Sequence, residues 1–259
     1  METIHRILYF LRWQIYPVVL SLPAHAAFVS RGRSGSIPPR QRIFHAWQNI
    51  KIHLLLKCGH NPIEALQIVE EIIELPKASV GVIVECGCFL GGSTAKLSHA
   101  AAAAGRELVV CDSFEGLPDV HRSDHTDLKT DFKKGEYLGR LDEVKANVER
   151  YGQSNCVRYV KGWFDESLVA LQGTPIICSF WDVDLQESFR VCIENLWQDI
   201  VPGAKVFLHD VDRPPVVAVF TDQAWWHDKI GTDPPPFAGA YTGLTRLSPL
   251  LGFVTKPKA

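Results

Sequence analysis

The 259-residue sequence has no basic excess: 27 lysines and arginines stand against 29 acidic side chains, for a formal net charge of −2. Readers of a phosphate backbone carry a clear cationic surplus or stripe, so nucleic acid is not expected as a partner. Internal repeats are absent, as are low-complexity tracts apart from the alanines at 100–104. With 46% apolar and 22% charged residues, the chain has the composition of an ordinary globular protein and not of a disordered one. A disulfide framework is not indicated either. The cysteines at Cys58, Cys86, Cys88, Cys111, Cys156, Cys178 and Cys192 are odd in number and lie mostly in apolar runs, which predicts reduced core thiols and a cytoplasmic, reducing setting. Cys86 and Cys88 are two apart, but no second Cys/His pair has the spacing of a structural zinc site.

A continuous apolar run of about 20 residues, the minimum for a spanning helix, is missing too. Ile4 to Phe28 is strongly apolar but is interrupted by Arg6, Arg12, Gln14, Pro17 and Pro23, and it ends in the small-residue pattern Ala24-His25-Ala26. Three readings stay open: a soluble accessory or oligomer-forming helix, a peripheral membrane contact through Tyr9, Phe10, Trp13 and Tyr16, and an export signal. The first is preferred, and a homo-oligomer is expected. The glycines, prolines and arginines of Arg31 to Arg40 mark a break. Apolar residues then recur at helical spacing over Arg42 to Leu56 and again over Pro62 to Leu75. His45, His53 and His60 in this region are assigned no role. The division expected is a helical extension over residues 1–75 and a larger domain over 76–259.

After Pro76 the period changes. Short apolar, β-branched runs at Val80 to Cys86, Glu107 to Cys111, Val157 to Val160, Pro175 to Trp181 and Ala204 to Leu208 alternate with helical patterns at Ser93 to Ala104, Leu141 to Tyr151 and Glu187 to Ile200. Alternation of this kind predicts an α/β fold with a mainly parallel sheet covered on both faces. Ligands of such sheets bind beyond the carboxyl ends of the strands, so the residues after each run are the candidates. Behind the first run, Gly87, Gly91 and Gly92 allow tight turns and close backbone approach, and Ser93 or Thr94 opens a helix. The spacing is not G-x-G-x-x-G, which weakens a dinucleotide reading. Asp112 ends the second run about 25 residues on, where a carboxylate is placed to take the hydroxyls of a ribose. Asp182 and Asp184 end the fourth run and Asp210 and Asp212 the fifth, a set of oxygen donors suited to Mg²⁺ and to vicinal hydroxyls.

Five segments together resemble one family: Val-Glu-Cys-Gly-Cys-Phe-Leu-Gly-Gly-Ser at 84–93, Asp-Ser-Phe-Glu-Gly-Leu-Pro at 112–118, Gly-Trp-Phe-Asp-Glu-Ser-Leu at 162–168, Asp-Val-Asp-Leu-Gln-Glu-Ser at 182–188 and Val-Pro-Gly-Ala-Lys-Val-Phe-Leu-His-Asp at 201–210. In order and spacing they are similar to the macrocin O-methyltransferases, a group of class I S-adenosylmethionine-dependent methyltransferases, over about Pro76 to Asp212. The resemblance implies a Rossmann-like sheet of seven strands with an antiparallel last strand, helices on both faces and a helical N-terminal extension. It implies O-methylation of a hydroxyl on a sugar or other small natural product. Carried to this sequence, it puts Glu85, Gly87, Gly91, Gly92 and Ser93 around the methionine part and the sulfonium, Asp112 on the ribose, Ser113 or Phe114 near the adenine, and Asp165 at the adenine edge beside Trp163 and Phe164. Asp182 joins this cofactor set. Asp182, Asp184 and Asp210 are the expected metal ligands, and Asp184, His209 and Asp210 the expected catalytic groups.

Two positions depart from the family pattern. His209 stands where the metal-dependent branch has the first of two aspartates, and Gln186 replaces the usual tyrosine. Histidine there would be a metal ligand or a general base with a pKa near neutrality. These departures keep a non-catalytic, methyltransferase-like scaffold in view; a nicotinamide-dependent oxidoreductase is the other alternative on the same fold. In the tail, one of Trp225 and Trp226 is expected in the core and the other in the pocket wall. A closing hairpin is expected from Tyr241 to Leu247 and Leu251 to Lys256, and Asp119 to Tyr137 has the length of a lid.

Overall fold

The computed structural model describes residues 8–31, 37–119, 132–239 and 250–258. A π-helical turn, Leu11–Ile15, leads into α1 (Tyr16–Arg31), followed by α2 (Pro39–Leu55) and α3 (Pro62–Ile73). Then come β1 (Val82–Cys86), α4 (Gly92–Ala104), β2 (Leu108–Asp112), α5 (Leu141–Tyr151), β3 (Val157–Lys161), the short α6 (Phe164–Ser167), β4 (Ile176–Trp181), α7 (Gln186–Leu196), β5 (Lys205–Leu208), α8 (Pro214–Val219), α9 (Gln223–Lys229), β6 (Phe237–Gly239) and β7 (Gly252–Thr255).

The strands form one sheet of seven in the order β3-β2-β1-β4-β5-β7-β6. β1 to β5 run parallel, while β7 lies antiparallel to β5, and β6 antiparallel to β7. Period-two alternation divides the apolar side chains between the two faces. On β2, Leu108 and Val110 face one core, with Ile52, Ile68, Ile72 and Leu97 from the helices, and Val109 and Cys111 face the other, with Phe189, Ile193 and Trp197. Both faces are covered, which is why the parallel strands read as nearly continuous apolar runs. The seven cysteines are free thiols and five of them are buried.

The helices before the sheet belong to its first core: Phe28 of α1, Ile52 of α2 and Ile68 of α3 join the same cluster as Ile83 of β1. Asn61 caps α3 through its side chain, which accepts from the backbone of Ile63 and Glu64, while Glu64 reaches back to the Asn61 N–H at 2.7 Å. Such a box contributes about 1 kcal/mol and fixes the Glu64 carboxylate in place.

The tail differs from the sequence expectation in two respects. β7 pairs with Phe237–Gly239, ahead of the expected Tyr241 to Leu247, and those residues lie outside the described ones. Trp226 is fully buried, its indole N–H donating to the Val219 carbonyl at 2.8 Å and its ring edge-on to Trp197. Trp225 does not line the pocket; its ring carries the Arg190 guanidinium, 5.2 Å away. Most of the expected lid falls outside the described residues as well.

Candidate active site

The strand order reverses between β1 and β4, and a cavity of about 410 Å³ opens at the carboxyl ends of the strands there, where ligands of open α/β sheets bind. The backbone holds the two halves close. The Asp182 N–H donates to the Cys86 carbonyl at 2.9 Å, and a Cβ on Gly87 (φ +82°) would lie 2.0 Å from the Asp182 carbonyl oxygen, so only glycine fits at 87. Five non-glycine residues among those described have positive φ: Phe89, Phe114, Tyr137, Asp184 and Asp210, and all but Phe114 line the cavity. Left-handed backbone at a non-glycine residue costs on the order of 1 kcal/mol and persists where the surroundings enforce it, most often at functional sites.

Of the residues expected around a cofactor, Gly87, Asp112, Ser113, Asp165 and Asp182 line this cavity, together with Trp163 and Phe164. Asp112 ties down its own framework, Oδ2 accepting from the Cys88 N–H at 2.8 Å and Oδ1 from the Phe114 N–H at 2.7 Å. Burial pushes the Asp112 carboxyl up, and these two N–H donors oppose the shift. Ser113 is engaged in its turn, donating to the Gly116 carbonyl and accepting from Glu115 N–H.

Phe114, Gly91, Gly92, Ser93 and Glu85 stand behind the wall. Phe114 packs edge-on against Tyr159 in the core, because its left-handed backbone turns the ring away from the cleft. Gly92 makes room for Cys58, whose Sγ would be 2.5 Å from an added Cβ. Glu85 is fully buried on the α4 side of the sheet, with Oε2 accepting from the Thr94 hydroxyl at 2.6 Å and Oε1 making no hydrogen bond. Burial raises its pKa to about 8, against the lowering effect of the Ser93 and Thr94 hydroxyls.

On the β4–β5 side, the side chains of Asp182, His209 and Asp210 offer ligand atoms that all lie within 4.8 Å of one another. His209 Nδ1 is 3.0 Å from Asp182 Oδ1 and 3.1 Å from Asp210 Oδ1, and its Nε2 is 3.4 Å from Glu64 Oε2. Burial alone would lower the imidazole's pKa; Asp182 and Asp210 outweigh it and hold the pKa well above the usual value. The two carboxylates thus favour the charged form of His209, the residue for which the sequence leaves open a metal ligand or a near-neutral base. Asp184 is pushed up by burial and by Asp210 and Asp182; Asp210 resists burial through His209 and is pulled down. The pair thus keeps its proton on Asp184 and its charge on Asp210. Asp184 meets Asp210 and does not belong to the three-residue cluster, and Asp212 is exposed and outside the cavity.

Glu64, Tyr137 and Gly59 complete the surroundings without having been singled out in the sequence; Gly59 and Tyr137 line the cavity and Glu64 backs His209. Burial and, after it, nearby carboxylates raise the Tyr137 phenol to about 12, so it stays protonated and able to donate. Glu64 had a legible signal, the Asn61-Pro62-Ile63-Glu64 capping pattern.

The residues fit the groups that the fold implies. The orphaned, buried Oε1 of Glu85 suits a cationic amino group, and Asp112 suits a diol. One imidazole and two carboxylates can hold a divalent cation, although this donor set suits Mn²⁺ or Zn²⁺ better than the Mg²⁺ expected from oxygens alone.

Sheet order and cleft together define a Rossmann-like methyltransferase fold. The chain matches the solved O-methyltransferase NovP (22% identity, TM-score 0.59, 74% of this chain and 77% of that one) and the calicheamicin methyltransferase CalS11 (17% identity, TM-score 0.60, 89% and 90%). The family model "Macrocin-O-methyltransferase (TylF)" matches residues 58–234, and the chain belongs to that family. It is 32% identical over 159 residues to the 8-demethyl-8-(2,3-dimethoxy-α-L-rhamnosyl)-tetracenomycin-C 4′-O-methyltransferase of Streptomyces olivaceus, and 28% identical over 153 residues to the demethyldecarbamoylnovobiocin O-methyltransferase of Streptomyces niveus. Those matches take in 59% and 56% of this chain and span 60% and 57% of the two relatives' own lengths.

Proposed function

We propose that this protein is an S-adenosylmethionine-dependent O-methyltransferase whose acceptor is a hydroxyl of a sugar in a small natural product. The observation that carries the reading is one cavity that joins Asp112, at the end of β2, to the Asp182–His209–Asp210 cluster at the ends of β4 and β5. The acceptor class follows the relative from Streptomyces olivaceus, which is named for methylation of a rhamnosyl group.

In this reading Asp112 holds the ribose, Trp163, Phe164 and Asp165 border the adenine, and Glu85 lies beneath the amino end of the methionine part. Asp182, His209 and Asp210 would hold a divalent cation, His209 as the neutral imidazole after giving up its proton. When bound, the cofactor supplies a methyl group already activated on sulfur, and the cation supplies positive charge beside the acceptor oxygen. The chain's own task is then mostly positioning. Asp184, carrying its proton, donates to Asp210 and keeps that carboxylate ionised and oriented. Asp210 would accept the proton that the acceptor hydroxyl must lose. Tyr137 donates to the acceptor from the facing wall.

The test is methyl transfer from labelled cofactor to a panel of rhamnosyl and related glycosides, with and without Mn²⁺ or Mg²⁺, beside calorimetry of cofactor binding. Asp210→Ala is expected to lose at least about a hundredfold in turnover, the usual scale for a general base, and to keep its cofactor affinity. Full activity of that variant overturns the proposed role. Binding without transfer to any acceptor instead supports a scaffold.

A further inference from the structure

Residues 3–63 contain eight lysines and arginines and not one aspartate or glutamate, in a chain that is net acidic as a whole. α1 is apolar around its circumference. Val18, His25 and Phe28 are buried on its inner side, while on the outer side Trp13 in the preceding turn is 56% exposed and Tyr16 60%. A helix apolar on all sides calls for cover on all sides. α2 continues this face: Ile43 shares an apolar groove with Leu22 and Val29 of α1, and Trp47, one turn on, is 61% exposed. Arg12, Arg40 and Lys57 are exposed on the same two helices and their ends. Arg31 and the buried Arg42, by contrast, are answered by Glu70 of α3, and Arg42 also by Glu74 just past the end of that helix.

We infer that this face docks on an anionic lipid surface, with the aromatic side chains in the interfacial layer and the cations on the headgroups. No helix among the described residues is long and apolar enough to cross a membrane, so α1 and α2 lie in the plane of the surface. A second copy of the chain fits the same face less well. Isologous pairing would set these cations against themselves, with no exposed acid on either helix to answer them. Lys57 lies over the rings of both Tyr9, at 6.0 Å, and Phe89, at 5.5 Å, and Phe89 lines the catalytic cavity. The lipid surface therefore borders the mouth of the site, and an acceptor bearing an apolar aglycone reaches it from the membrane side.

The test is co-sedimentation of the full chain with phosphatidylcholine vesicles and with vesicles that also contain phosphatidylglycerol, at low and high salt. Binding is expected only to the anionic vesicles, weakened by salt, reduced roughly fivefold by each of Arg12→Gln and Arg40→Gln, and lost in the double variant Trp13→Asp, Trp47→Asp. Circular dichroism and thermal midpoint should stay unchanged in all of these. If the tryptophan variant does not fold, the salt and arginine effects decide. Equal binding to both vesicle types, or none, overturns the proposal. So does a dimer in sedimentation velocity that the tryptophan substitutions dissociate while vesicles capture nothing, an outcome that assigns the face to a second copy.

Discussion

Thr94 donates its hydroxyl hydrogen to Glu85 at 2.6 Å, at the first turn of α4 and beneath the glycine loop, and the other Glu85 oxygen is buried without a hydrogen bond. A carboxyl so placed keeps its proton up to about pH 8 in the unliganded chain. A cationic amino group beside Oε1 would favour the ionised form, so cofactor binding is expected to release a proton near neutrality and to tighten as pH rises from about 6 to 8. Calorimetry in buffers of different ionisation enthalpy reads the proton directly. Glu85→Gln should flatten the pH profile and weaken binding at pH 8 by roughly tenfold or more, the scale of one charge-assisted hydrogen bond. A pH-independent affinity in the parent chain would remove Glu85 from the cofactor site.

The same group makes a prediction for the cofactor-free protein. Above pH 4.5 the unfolded chain loses this proton while the folded chain retains it to about pH 8. Stability contributed by Glu85 is therefore present in full below pH 4.5 and is lost as pH rises to 8, by about 1.4 kcal/mol per pH unit. Urea unfolding of Glu85→Gln should show a smaller fall between pH 6.5 and 8 than the parent chain.

Asp112 supports the loops as well as the proposed ribose site, since it accepts the N–H groups of Cys88 and Phe114. Asp112→Ala leaves two donors in a part-buried turn without their acceptors, at a cost of about 1–3 kcal/mol for each that water cannot reach. Asp112→Asn keeps one acceptor oxygen. Both should weaken cofactor binding, with Asn intermediate in thermal midpoint and in affinity; loss of stability with unchanged affinity would reduce Asp112 to a loop tie.

Acid lability should arise from the helical layer before the sheet. Burial, helped by His99 and Arg42, holds the His45 pKa down to about 4, and burial with Lys96 holds His53 to about 3. Between the ordinary value of 6.5 and these values the unfolded chain takes up protons that the folded chain refuses. Stability therefore falls as pH drops through this window, by about 1.4 kcal/mol per pH unit for each histidine. Glu85, Asp184 and Asp112 contribute slopes of the opposite sign and the buried His60 one of the same sign, so the contribution is read as a difference between variant and parent. A His53→Gln variant should lose less stability than the parent chain between pH 6.5 and 4 in urea unfolding, and equal losses would contradict the assignment.

The strands after Pro76, the glycine loop and the acidic strand ends were all legible, because period-two burial and turn residues are local signals. Asp112, Asp182, His209 and Asp210 come together because each ends a parallel strand, which the alternation of strands and helices already implies. Glu64 was harder: it reaches His209 across 145 positions of sequence, and only its capping role is local. The turn of Phe114 into the core follows from a positive φ that no residue pattern announces at a phenylalanine. The pairing of Phe237–Gly239 with β7 was not read in advance, because the appearance of a segment does not reveal which neighbour its edge meets; the expected Tyr241 to Leu247 lies outside the described residues.

The adjacency of β1 and β4 bears on how the chain reaches this state. Ser179 on β4 donates to the Val84 carbonyl on β1, 95 positions earlier, and the Asp182 N–H bonds Cys86 just beyond. A nascent chain that has emerged only as far as β3 can pair β2 with β1 and β3 but has no partner on the other side of β1. The cleft thus depends on the longest chain closure in the sheet, the costliest in loop entropy, and a chain truncated before β4 would expose a bare, apolar edge of β1 in its place.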